Sequence, residues 1–382
     1  MGFQNHPMTD YRNIIGITLE GTYREGAALR RYCSDESSAV SHAPWRRSIF
    51  SFLMQWLDGN SYIIVPSSGS SGQPKQLRLS KQHMVNSALK TGTFLNLKKE
   101  DSALLCLSAD YIAGKMMLVR AMTLGLNLFI TAPADAPLKQ FADARFDFAA
   151  MVPLQVYELL KTKSGEKSLN NIRNLIIGGS DIGFALRTKI KTLTNRTFHT
   201  YGMTETVSHI ALQQLNGRQP DEAFHLLPGV HISTDSRQRL IVEAPDIAPA
   251  PVHTNDVAEL LTPGTLRILG RYDQMIISGG INLYPETIEA KLGAFIPCRY
   301  AISSVTDDRL IEKVVLVIED KPWVTEKIRQ LQADISAALE RYAIPKEIIF
   351  INKIPETPNH KIDRNALKKA VALTSSAIGD NA

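Results

Sequence analysis

Cysteine is scarce in this chain of 382 residues, which holds only Cys33, Cys106 and Cys298. They are widely spaced, odd in number and form no CxxC pair, which excludes a disulfide framework or a structural zinc site and suits a reducing compartment. Long apolar runs are also missing. No stretch approaches the roughly 20 uninterrupted apolar residues of a membrane-spanning helix, and the first ten residues lack a basic region followed by an apolar one. Neither a membrane span nor secretion is expected, and the cytoplasm is the expected location. Myristoylation at Gly2 is set aside because His6 stands where that signal needs Ser or Thr. A strong charge of one sign is absent too. Lys and Arg number 43 against 38 Asp and Glu, a net +5, spread along the chain without a basic arm. That distribution argues against nucleic acid as a partner and suits small anionic ligands.

What is present is an ordinary globular balance, with 44% hydrophobic and 21% charged residues, 23 Gly and 19 Pro, which excludes collagenous, disordered and coiled-coil classes. At about 150 residues per domain the length suggests two or three units. Residues 1 to about 60 read as a lead-in ending in an amphipathic helix, with Ile49, Phe50, Leu53, Trp56 and Leu57 at helical spacing and Asp58-Gly59 as its stop. From 62 to about 201, apolar runs at 62–65, 103–107, 128–130, 148–152, 175–177 and 197–201 alternate with helical stretches. Such alternation predicts an α/β fold with a mostly parallel sheet covered on both faces. Residues 207–272, with strand-like runs at 240–243, 257–261 and 265–269 between Pro- and Gly-bearing turns, read as a β subdomain. From Asp273 onward, strands at 275–277, 301–305 and 314–318 and a helix presenting Ile328, Leu331, Ile335 and Leu339 suggest a separate α+β domain. The expected division is therefore 1–272 and 273–382, and the small, polar tail after Lys369 is expected to fray.

Four segments could carry chemistry. The first, Ser67-Ser68-Gly69-Ser70-Ser71-Gly72-Gln73-Pro74-Lys75, follows an apolar run. Its glycines permit close backbone approach, its N–H groups and hydroxyls can wrap phosphate oxygens, and its lysine adds positive charge. It lacks the Gly-Lys-Ser/Thr of a Walker A loop and, taken alone, equally reads as a flexible turn. The second, Tyr201-Gly202-Met203-Thr204-Glu205-Thr206, lies just beyond a strand end, where ligands collect in open α/β sheets. A hydroxyl beside a carboxylate could bind a phosphate oxygen and its Mg²⁺, or simply cap a turn. The third, Gly270-Arg271-Tyr272-Asp273 followed by Ser278-Gly279-Gly280, is either a hinge with a mobile loop or an interdomain turn. The fourth, Thr357-Pro358-Asn359-His360-Lys361-Ile362-Asp363-Arg364, is a turn-rich loop whose lysine alone would pass for a solvated charge.

In this order the four segments resemble the signature set of the acyl-adenylate-forming superfamily, which includes acyl-CoA synthetases, peptide-synthetase adenylation domains and luciferases. The resemblance runs from about residue 60 to residue 367. It implies a larger N-terminal domain, a small mobile C-terminal domain, ATP and CoA as co-substrates and Mg²⁺ as cofactor. Residue by residue, it implies that Ser67, Ser68, Gly69, Ser70, Ser71, Gly72 and Lys75 cradle the β- and γ-phosphates. Gly179 and Ser180, within Gly178-Gly179-Ser180-Asp181, would line the adenine and acyl pockets. Tyr201, with Gly202 beside it, would stack on adenine, Thr204 would hold the α-phosphate and Glu205 the metal. Asp256 would bind the ribose hydroxyls and Arg271 the nucleotide. Asp273 would be the hinge, Gly279 and Gly280 the loop on the CoA side, and Lys361 the lysine of adenylation. The chain departs from the family pattern at Gln76, Asn255 and His360, where glycine is usual, and the phosphate loop carries serines where threonines are common.

With 66 residues before the phosphate loop, the chain also resembles the compact o-succinylbenzoate–CoA ligases of menaquinone biosynthesis. Asp110-Tyr111-Ile112-Ala113-Gly114-Lys115-Met116-Met117 is similar to the corresponding part of that subfamily, with Tyr111 where many relatives carry histidine. The implied substrate has an aromatic ring and two carboxylates, and the one not activated needs a cationic or hydrogen-bonding partner. Lys115 is the first candidate, with Arg120 and His209 behind it; both cations also read as ordinary surface charges of a helix. Other aryl- or short-acyl-CoA ligases, a carrier-protein-loading adenylation enzyme and a non-catalytic nucleotide-binding paralogue remain as alternatives. Expected partners are a small carboxylic acid, ATP and CoA, with a homodimer left open.

Overall fold

The computed structural model describes residues 9–39, 41, 43–66, 76–217, 221–357 and 362–379. Six strands run parallel in the spatial order Arg196–Gly202, Ile172–Ile177, Phe146–Met151, Ser102–Leu105, Asn127–Ile130 and Gly16–Leu19. Strands buried on both faces need apolar runs, and the strands Ile172–Ile177 and Phe146–Met151 supply them in their second halves, at 175–177 and 148–151. One face packs on the helices Pro44–Trp56, Lys81–Leu95 and Ile112–Leu124, through Phe50, Leu53, Met84 and Met116. The opposite face packs on Pro153–Leu159, Lys163–Asn170 and Phe184–Ile190, through Val156, Leu169 and Leu186. The α/β layering expected from the sequence is therefore present. Gly125 ends Ile112–Leu124 in the left-handed region, at φ 65°, which returns the chain to the sheet at Asn127.

Three expectations are corrected. The run at 62–65 is not in this sheet; it belongs to Tyr62–Pro66, paired antiparallel with Gln76–Ser80 in a separate ribbon. Its alternating burial, with Ile64 exposed, marks a strand with one wet face. The lead-in is also more than a helix. Gly16–Leu19 and Thr22–Glu25 complete one edge of the sheet, and Gly26–Ser38 packs on Pro44–Trp56. The tail is helical as far as Gly379, anchored by Leu367 and Val371, which are one turn apart within Arg364–Gly379 and buried among Ala301, Val315 and Val317; residues 380–382 of the expected fraying end lie outside the described residues.

Residues 207–272 are strand-rich as expected, but they extend the main sheet. His209–Gln214 pairs antiparallel with Arg196–Gly202. Phe224–Leu226, Thr265–Arg271, Val252–Thr262, Arg239–Glu243 and His231–Thr234 follow outward to make 13 strands. Beyond Asp273 a five-stranded sheet of Ile276–Ser278, Ile281–Leu283, Tyr300–Asp307, Ile311–Glu319 and Glu347–Ile351 packs on Pro285–Leu292, Thr325–Ala338 and Arg364–Gly379 around its own core. No described helix is long and apolar enough to cross a membrane.

Candidate functional site

The site is organised by the carboxyl end of Arg196–Gly202. Gly202 is required there, because a Cβ would lie 2.4 Å from both the Cα of His209 and the carbonyl oxygen of Ser208 on the returning strand. The turn Thr204–Thr206 is held by the Thr206 hydroxyl, which accepts from the Met203 N–H at 3.2 Å and lies 2.9 Å from the Ser208 carbonyl. Val207, a β-branched residue, is forced to φ 65°, the kind of strain found where neighbouring structure over-determines the backbone. Within the turn Thr204 is buried and Glu205 is exposed. Gln76–Ser80 packs beside this turn, and Gln76 pairs with Pro66. The loop between the strands Tyr62–Pro66 and Gln76–Ser80, from Ser67 to Lys75, lies outside the described residues. Among the described residues no three His, Cys, Asp or Glu converge, a donor set unlike an all-protein metal cage. The exposed Glu205 carboxylate suits a cation completed by phosphate oxygens and water.

A second group lies across the sheet. The Tyr201 hydroxyl donates to Asp256 Oδ2 at 2.6 Å. Burial and the neighbouring carboxylate hold that phenol well above its ordinary value, so it remains a donor. Asp256 stands opposite Arg271 in the antiparallel register, with 3.6 Å between carboxylate and guanidinium. Arg271 also makes two 3.1 Å bonds to Asp273, which in turn accepts from the Asn255 side-chain amide at 3.3 Å. Tyr201, Asp256 and the Arg271–Asp273 pair, chosen from three separate stretches of the chain, therefore form one network. Gly178 and Gly179 begin the loop facing it. A Cβ at Gly178 would meet Thr200 Oγ1 at 2.2 Å, and Gly179 has φ 92°. Gly279 and Gly280, at φ 60° and 82°, turn the chain between Ile276–Ser278 and Ile281–Leu283. Lys361 lies outside the described residues, but its loop is closed by a bridge between Glu356 and Ile362.

The acyl-side candidates separate sharply. Tyr111 is 60% exposed. Lys115 is buried, and its ammonium donates to the carbonyls of Ala109 and Asp110. Arg120 is 2% exposed, and among the described residues no carboxylate is paired with it. Its guanidinium donates to Ser208 Oγ at 2.8 Å and to Thr91 Oγ1 at 3.4 Å, and sits 3.5 Å from His209 Nδ1. Burial lowers its pKa to about 10. A guanidinium can only donate, so His209 Nδ1 accepts and the Nε2–H faces Thr91, 3.1 Å away. Burial, then Arg120, keeps this imidazole neutral. Sequence reasoning missed Thr91 and Ser208. No motif marks Thr91; Ser208 stands two residues past the second motif.

A family model described as AMP-binding enzyme matches residues 34–238. The chain is 27% identical over 347 residues to the 2-succinylbenzoate–CoA ligase of Listeria monocytogenes, covering 83% of this chain and 72% of that one. An acyl-CoA synthetase (AMP-forming)/AMP-acid ligase II-like protein from Dyadobacter fermentans is 32% identical, with 90% of this chain and 98% of that one covered and a TM-score of 0.59. The O-succinylbenzoate coenzyme A synthetase of Bacillus subtilis, solved with ATP and magnesium, shares the fold at 19% identity and a TM-score of 0.66, covering 89% of this chain and 81% of that one.

Proposed function

The chain belongs to the AMP-binding enzyme family, and from that membership we propose that it is an AMP-forming acid–CoA ligase whose acid is 2-succinylbenzoate, acting in menaquinone biosynthesis in the cytoplasm. The relatives named for that activity support the choice of acid. The observation that carries it is the Arg120 guanidinium, buried behind the 202–209 turn without a carboxylate among the described residues. A buried cation of this kind matches an anionic group on the ligand. Arg120, rather than Lys115, is therefore the partner of the second carboxylate; the Lys115 ammonium is already engaged by backbone carbonyls.

The chemistry follows from charge. An oxygen of the activated carboxylate attacks the α-phosphorus of ATP; the bond to pyrophosphate breaks, and pyrophosphate leaves. Two anions must approach, so cations have to offset their repulsion. Lys361 provides one, residues 67–75 hold the departing pyrophosphate, and Thr204 holds the α-phosphate. Mg²⁺ on Glu205 supplies charge neutralisation at the phosphates when bound. Tyr201, Asp256 and Arg271 fix the nucleoside, so that the two reactants meet as neighbours. The 273–382 unit then rotates about Asp273 and brings Gly279-Gly280 to the site. The CoA thiol attacks the acyl carbonyl, its proton passes to solvent, and AMP leaves.

Pyrophosphate release measured with ATP and a panel of acids tests the assignment. 2-Succinylbenzoate should give the highest kcat/KM, and Arg120→Met should raise its KM at least about tenfold while leaving Mg·ATP binding intact. A simple benzoate turned over as well as the dicarboxylate would refute the choice of acid.

A further inference from the structure

Beside the nucleotide network lies a second buried imidazole that the reaction scheme does not use. His199 is 6% exposed, on the same strand as Tyr201 and two residues before it. Its two nitrogens face different partners. Nδ1 is 3.3 Å from Arg187 Nη2, and Nε2 is 3.3 Å from the carbonyl oxygen of Ser180. Neither partner leaves a choice: a guanidinium only donates and a carbonyl only accepts. The geometry therefore fixes one neutral tautomer, with the lone pair on Nδ1 and the proton on Nε2.

Arg187 is held in turn. Its Nε donates to the Ile182 carbonyl at 3.0 Å and its Nη1 to Gln213 Oε1 at 3.0 Å, and it lies 3.7 Å from the Asp181 carboxylate. Gln213, also buried, completes the chain by donating to the Asp221 carbonyl at 3.1 Å. Three successive residues of one loop, Ser180, Asp181 and Ile182, are thus gripped by two side chains from different elements. On one side of the imidazole stands Phe224, 5.2 Å away between ring centres, and Phe224 is itself 5.9 Å from the Tyr201 ring. The relay and the nucleotide network share a wall.

We propose that His199 is a positioning residue for the nucleotide: fixed as the Nε2–H tautomer between Arg187 and Ser180, it holds the 178–182 loop in the conformation against which the purine packs. A loop with two glycines, one of them at φ 92°, has little stiffness of its own. Side-chain bonds to its carbonyls remove that freedom before the ligand arrives, and such preorganisation appears as affinity. Burial and the facing guanidinium oppose protonation of His199, in keeping with a pKa lowered to about 4. The inference rests on the nucleotide site alone and not on the identity of the acid.

The test compares His199→Gln, which keeps a donor and an acceptor, with His199→Phe, which keeps the ring and removes both. Calorimetric titration with Mg·ATP should show about tenfold weaker binding for His199→Phe and less than about threefold weakening for His199→Gln. Binding of Mg-bound inorganic triphosphate, which has no purine, should be equal in all three proteins. In ¹⁵N-histidine-labelled protein, the resonances lost in His199→Gln should be those of an imidazole protonated on Nε2 only. Full Mg·ATP affinity in His199→Phe, equal weakening for triphosphate, or a proton on Nδ1 would overturn the proposal. Wild-type protein that binds no Mg·ATP would overturn the nucleotide reading and this proposal together, whereas failure to use 2-succinylbenzoate would leave both standing.

Discussion

Burying a guanidinium costs several kcal/mol unless acceptors of suitable charge surround it. Around Arg120 the described residues provide a hydroxyl from Ser208, a shared one from Thr91, an imidazole nitrogen and the Met117 sulfur. That set orients the group without neutralising it. Replacing Arg120 with Met should therefore raise the unfolding free energy of the free protein by roughly 1–3 kcal/mol in urea denaturation, while the acid KM rises. Loss of both stability and acid binding would instead mean that the arginine is a structural strut. The sequence displays Arg120 as one cation on an apolar helix, where a snorkelling surface charge is the ordinary reading. Only packing reveals that it points inward while Lys115, five residues earlier, is closed off by its own helix start.

The element that decides the site is the turn between Arg196–Gly202 and His209–Gln214. Its glycine, its strained valine and the Thr206 hydroxyl set where Thr204 and Glu205 stand. Gly202→Ala should thus be costly although the residue has no side chain to take part in the chemistry. A Cβ 2.4 Å from two backbone atoms cannot be relieved by a side-chain rotation. A destabilisation of about 2 kcal/mol or more is expected by thermal or urea denaturation, with pyrophosphate release depressed further than stability explains. An Ala variant as stable and as active as the parent would show that the two strands can separate freely. The motif was legible here because its chemistry is local: hydroxyl, carboxylate and glycine are consecutive. The partners that orient it, Asp256 and Arg271, lie more than fifty residues away. They come into register only through antiparallel pairing of strands that composition alone presents as a separate subdomain.

At the scale of the molecule, the contact between the 273–382 unit and the rest is where one carboxyl is held out of its ordinary state. Glu286 lies at the start of Pro285–Leu292, where its Oε2 is buried without a hydrogen-bond partner among the described residues, against the backbone of Gly270. Burial pushes its pKa up to about 7; Arg364 opposes this at 3.6 Å, and the charges of Glu289 and Asp181 add to it. A carboxyl whose folded pKa exceeds its unfolded one contributes stability that is complete below the unfolded value. That contribution is lost as pH rises through the folded value. The wild type should accordingly lose up to about 3 kcal/mol relative to Glu286→Gln between pH 4.5 and pH 8. Urea titrations of the two proteins at both pH values measure this difference. A stability difference that does not change with pH would place the carboxyl in water.

The sequence by itself determined the layered α/β plan, the independent core beyond Asp273 and the order of the chemical segments. Each of these is written in local periodicity or in consecutive residues, and local free energies suffice to specify them. Tertiary structure alone decided that the strands of 207–272 continue the parallel sheet, that the strand at 62–66 leaves it, and that Lys115 is held by backbone carbonyls while Arg120 points inward with no carboxylate paired to it among the described residues. Those outcomes depend on hydrogen bonds and burial between residues far apart in the chain. Neither strand pairing nor the direction in which a long side chain points is recorded in the spacing of the residues that carry them.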